Sequence, residues 1–106
     1  MCGRFSMFSH VKTIEERFKI EEILTRPEPR YNIAPMQTIP VVVQREKRQL
    51  TQMQWGLVPS WAKDVKIGNR LINARAETVA TKPAFRSVFK KRRCLILADS
   101  FFEWQK

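Results

Sequence analysis

The chain has 106 residues, 20 lysines and arginines against 10 aspartates and glutamates, a formal net charge of +10 and 43% hydrophobic residues. That length supports one domain with a modest core, the composition is too apolar for a disordered segment, and no apolar run approaches the ~20 residues of a membrane helix. Two cysteines and a single histidine exclude a disulfide framework and a histidine-based metal site, while the positive charge points to a polyanion, nucleic acid first.

In chain order, Val11, Ile14 and Phe18 recur at helical spacing and predict an amphipathic helix over about residues 10–19, with Ser9 as its N-cap. Ile20, Ile23 and Leu24 extend that apolar face or begin a second short helix. Arg26-Pro27-Glu28-Pro29 ends helical structure, and Tyr31 to Pro35 reads as ordered but irregular. The β-branched run Ile39 to Gln44 and the alternating run Leu50 to Trp55, separated by the polar segment Arg45 to Gln49, predict a hairpin. Leu71-Ile72 predicts a short buried strand reaching Asn73, Ala74 to Ala80 has helical composition, and Pro83 to Phe89 reads as another short helix. Cys94 to Ala98 predicts a buried strand in which Cys94 is inert core, and Phe101 to Trp104 a second strand after a turn at Asp99-Ser100. The expected fold is α+β, mixed and mainly antiparallel, without repeats or linkers. No basic and apolar leader precedes the first element, so a cytoplasmic location is expected.

The second residue, Cys2, carries unusual chemistry. Once Met1 is removed, its α-amine and thiol form a 1,2-aminothiol. The amine condenses with an aldehyde to an imine, and the thiol then closes a five-membered thiazolidine. An α-amine titrates near pH 7.7–8.0, about two units below lysine, so a useful fraction is nucleophilic at neutral pH.

Five segments stand out together: CGRF at 2–5, RYNIAP at 30–35, WGLVPSW at 55–61, NARAET at 73–78 and FFEW at 101–104. Their order and spacing resemble the SRAP family, the SOS-response-associated peptidase-like proteins that process abasic sites in DNA. The resemblance runs from Cys2 to Trp104. It implies an open-barrel-like SRAP fold, of which residues 1–106 form the N-terminal part, with the family's active-site histidine lying beyond this chain; His10 does not match it by position. It implies that Cys2 attacks the ring-opened aldehyde of an abasic deoxyribose in single-stranded DNA and forms a stable crosslink. A lyase side reaction through the imine, and a peptidase activity that removes residues ahead of the cysteine, belong to the same inheritance. Neither a cofactor nor a metal is called for, and no membrane.

Within the motifs, Asn73 matches the family's active-site asparagine; an amide holds a sugar oxygen or imine without titrating. Glu103 matches the active-site glutamate, and its aromatic neighbours favour partial burial and general acid–base use. Taken without the resemblance, Asn73 reads as a turn former and Glu103 equally as a solvent-facing strand residue. Arg4, Arg75 and, more weakly, Arg86 are candidate phosphate contacts, since arginine binds phosphate in a bidentate fork. Trp55, Trp61 and Pro40 are candidates for an apolar wedge or stacking face beside a basic groove, with Trp55 equally readable as core and Trp61 the better candidate for exposure. The alternatives are a DNA-binding module without chemistry and a thiol peptidase using Cys2, the latter weakened by the lack of a well-placed histidine base.

Overall fold

A computed structural model describes residues 2–102. The expected class holds, with two sheets and two short α-helices. The first sheet has the order β3-β1-β7, where β1 is Arg4–Met7, β3 is Arg30–Ile33 and β7 is Ser100–Phe102. Both pairings are antiparallel, so β1, next to the N-terminus, is the central strand of its sheet. The second sheet has the order β2-β5-β4-β6, with β2 Glu22–Ile23, β4 Thr38–Gln44, β5 Arg48–Gln54 and β6 Leu95–Ile96. Among the described residues only β2 and β5 run parallel.

The predicted hairpin is the β4–β5 pair, in register from Thr38 opposite Gln54 to Gln44 opposite Arg48. Its β-branched run pairs on both sides, with β5 and β6, and Ile39 through Val43 are all buried. Pro40 is therefore interior: its carbonyl accepts from the Leu97 amide at 3.3 Å, and it does not form an exposed wedge. The core joins Phe5 and Met7 of β1 to Ile14, Ile33, Val41, Leu50, Trp55 and Leu97.

Helix α1 spans Val11–Phe18, and its N-cap is His10, whose Nδ1 accepts from the Lys12 amide at 3.1 Å. Ser9 is drawn away, its hydroxyl donating to the Asp99 carboxylate. The helix stops at Lys19, which adopts a left-handed conformation (φ 53°) and donates its amide to the Glu15 carbonyl. Ile23 then enters β2, because the Leu24 amide is satisfied by the Leu50 carbonyl and not by a helical turn. Tyr31 to Ile33, expected to be irregular, join Arg30 in a strand because β1 supplies their partners.

Three further expectations fail. Leu71-Ile72 is not a strand; its carbonyls are taken by the Leu57 amide and the Trp55 indole. Residues 74–80 are not helical: 74 and 75 are irregular and 76–80 form turns, and the next helix, α2, starts only at Arg86 and runs to Lys91. Residues 94–98 reduce to the two-residue strand β6, whose side chains are exposed, as is Cys94; within this segment only Leu97 is buried. No helix among the described residues is long and apolar enough to cross a membrane.

Candidate functional site around Cys2 and Asn73

Cys2 lies just ahead of β1, half-buried and packed against the core. Its thiol donates a long contact of 3.7 Å to the Arg4 carbonyl. Its own carbonyl accepts from the Asn73 side-chain amide at 2.8 Å. These two residues, 71 positions apart, are thus in direct contact. A neutral amide used this way holds the backbone of Cys2 without adding charge beside it.

The contact is built by Trp55. This residue ends the alternating run of β5 and is 7% exposed. One side of its ring packs on Phe5, with centroids 5.2 Å apart and planes at 59°. Its indole N–H donates to the Ile72 carbonyl at 2.9 Å. Phe5 is three residues beyond Cys2, and Ile72 immediately precedes Asn73. Trp55 therefore brackets both halves of the site, and its burial makes it core, the other reading its sequence position allows, rather than an exposed stacking face. The loop carrying Asn73 is further tied by Leu57 N–H to Leu71 O at 3.0 Å.

The turn after Trp55 requires glycine. Gly56 has φ 120°, and a Cβ there would lie 2.6 Å from the Gly68 carbonyl oxygen. Gly68 belongs to the 3-10 helix Val65–Asn69, capped by the Asp64 side chain on the Lys66 amide. Gly56 thus lets the chain pass close to the segment that leads into Leu71 and Asn73.

Asn73 also borders a cavity of about 230 Å³, shared with Trp55, Ala74, Phe85, Cys94 and Ile96. Burial pushes the Cys94 thiol pKa up, so this second cysteine is a poor nucleophile at neutral pH, although the residue as a whole is exposed.

The arginines are exposed, as expected of phosphate ligands, but only one is fixed close to Cys2. Arg4 donates to the Asn32 side-chain oxygen at 3.1 Å, a partner that lay unassigned within the RYNIAP segment. Arg75 follows Asn73 by two residues; its carbonyl accepts from the Thr78 and Val79 amides, and the residue is exposed. Arg86 opens α2, next to Phe85 of the cavity. Trp61, at 62% exposed, is the open tryptophan of the WGLVPSW segment. Glu103 lies outside the described residues. Among the described residues no group of three or more His, Cys, Asp or Glu is placed to hold a metal ion.

The family model for SOS response associated peptidase (SRAP) matches residues 1–106. This chain belongs to the SRAP family. It is 48% identical over 109 residues to the abasic site processing protein YoqW of Bacillus subtilis, covering 100% of this chain and 49% of that protein. It is 36% identical over 94 residues to the abasic site processing protein HMCES of Gallus gallus, covering 76% of this chain and 28% of that one. A crystal structure of a Bordetella bronchiseptica protein superposes with a TM-score of 0.76 at 20% identity, over 96% of this chain and 50% of that one, and so shares the fold. The chain spans about half the length of YoqW. On this SRAP framework, motifs far apart in sequence meet at the amino end of β1.

Proposed function

We propose that this chain processes abasic sites in single-stranded DNA by forming a covalent crosslink through Cys2. The observation that carries the reading is the 2.8 Å bond from Asn73 to the Cys2 carbonyl, which joins the two motif residues expected to share the chemistry. The names of the relatives, which are called abasic site processing proteins, support the substrate.

In this reading Met1 is first removed. The neutral α-amine of Cys2 adds to the C1′ aldehyde of the opened deoxyribose, and loss of water leaves an imine. Sγ then adds to the imine carbon, the thiol proton ends on nitrogen, and the ring closes as a thiazolidine. Asn73 fixes the Cys2 carbonyl so that the amine and thiol, on adjacent carbons, hold one orientation towards the sugar. Such fixing is worth having because both groups react with a single carbon in succession. Arg4, Arg75 and Arg86 hold flanking phosphates, Trp61 offers an open ring, and Glu103 moves protons during ring opening. Lyase and peptidase activities are secondary routes of the same site. Against a thiol peptidase with histidine as base stands His10, whose Nδ1 caps α1.

The test is to incubate Met1-free full chain with an oligonucleotide carrying one abasic site, followed by a denaturing gel and intact mass. The expected product is a heat-stable adduct with the mass of protein plus DNA less one water, absent for Cys2→Ala. An equal yield of that adduct from Cys2→Ala would sink the mechanism.

A further inference from the structure

The pairing of β1 with β3 contains an irregularity. Phe5 lies opposite Ile33 and Met7 opposite Arg30, so one residue of β1, Ser6, faces two of β3, Tyr31 and Asn32. This extra residue is a β-bulge, a device that re-aims side chains and is over-represented next to active sites. Here it leaves two successive residues exposed where a regular strand would bury one of them. Asn32 bonds Arg4, near one end of β1. Tyr31 stacks on Phe8, just past the other end, with centroids 5.4 Å apart and planes at 19°.

Phe8 and Tyr31 are 45% and 67% exposed, an open pair of aromatic rings whose apolar surface the core does not use. The pair is also held in place. The Phe8 amide donates to the Asp99 carboxylate at 2.7 Å, and the Ser9 amide to the same oxygen at 2.9 Å. Cys2, the Arg4–Asn32 pair and the Phe8–Tyr31 stack therefore follow one another along the same two strands. Reactive group, fixed cation and aromatic face are the parts that hold a single strand without reading its sequence.

We propose that the Phe8–Tyr31 pair is a stacking platform for unpaired bases flanking the abasic site on one side. The proposal rests on the reading of Cys2 as the reacting residue. The occupant is single-stranded DNA because the net charge is +10 and the platform is continuous with Arg4. Phe8 lies six positions beyond Cys2 along extended chain, about 20 Å. At ~3.4 Å per stacked nucleotide this places the platform about six nucleotides from the lesion, fewer if the strand is stretched.

The experiment uses the full chain and single-stranded oligonucleotides bearing a tetrahydrofuran abasic analogue, which cannot open to an aldehyde. Arms of zero to eight nucleotides are added on either side, and Kd is read by fluorescence anisotropy at fixed salt. Affinity should rise as the arm on one side reaches the platform and level off beyond it. Phe8→Ala and Tyr31→Ala should each remove about fivefold or more of that gain and leave the shortest oligonucleotide unaffected, while Tyr31→Phe keeps it. Unchanged affinity for the long oligonucleotide in both alanine variants overturns the platform. So does a dimer that those variants dissolve while DNA binding stays the same, which would make this face a contact between copies. If the wild type crosslinks an aldehyde-bearing oligonucleotide but shows no dependence on arm length, only the platform falls. If folded, Met1-free wild type neither binds nor crosslinks any of them, the reading of Cys2 falls with it.

Discussion

The two tryptophans of the WGLVPSW segment should respond unequally to the same change. Trp55→Phe keeps a ring against Phe5 but removes the indole N–H that holds the Ile72 carbonyl at 2.9 Å. Loss of that bond costs about 1 kcal/mol, since Ile72 is half-buried and water partly replaces it. The smaller ring buries roughly 50 Å² less, which at about 25 cal/mol per Å² is another ~1 kcal/mol. The sum of about 2 kcal/mol predicts a fall in Tm of about 8 °C for a domain of this size. Trp61→Phe, at an exposed position, should stay within about 0.5 kcal/mol. Thermal unfolding of both variants side by side, with crosslinking rate as a second readout, makes the comparison. Trp55→Phe should also slow crosslinking, because Ile72 carries Asn73. Equal Tm values for the two variants, or a Trp61→Phe protein less stable than Trp55→Phe, would refute the bracket.

Gly56→Ala should destabilise by about 1–3 kcal/mol in urea unfolding, because the φ of 120° and the Gly68 carbonyl at 2.6 Å both oppose a Cβ. Asn73→Ala should slow crosslinking more than it weakens binding to the tetrahydrofuran oligonucleotide; proportional losses would make Asn73 a structural residue only. The logarithm of the DNA-binding constant should fall linearly with the logarithm of salt concentration, and a flat response would count against phosphate contacts. Asp99 yields a pH prediction. The Ser9 hydroxyl first, then the Phe8 and Ser9 amides, hold its carboxyl below the usual carboxylate range. A depressed folded pKa stabilises the protein above the unfolded value of about 3.9 and loses that contribution as pH falls through the folded value. Asp99→Ala should therefore be less stable than wild type near pH 6, and the two should converge in acid below about pH 4.

What the sequence made legible followed local rules. The hairpin from Thr38 to Gln54 was readable because β-branched and alternating residues report burial directly. Helix α1 was readable from its spacing, but not its cap, because Ser9 is claimed by Asp99, 90 residues away. Tyr31 and Asn32 carried no strand signal, since their conformation is imposed by pairing with β1. Leu71-Ile72 looked like a strand by composition, yet its partners are a loop amide and an indole. At the site, Cys2 and Asn73 were flagged by chemistry and motif. That the Asn73 amide reaches the Cys2 carbonyl, and that Trp55 ties the two together, depends on long-range packing that no local pattern encodes.

The central place of β1 has a consequence during synthesis. Arg4 of β1 is made well before β7, one of the two neighbours of β1, which ends at Phe102. At 5–20 residues per second, about 5 to 20 s pass before that neighbour exists. Throughout that interval the sheet containing β1 is incomplete, and the segment around Cys2 lacks the packing that later half-buries it. Under the proposed function, loss of Met1 in that interval comes before the fold that positions Cys2.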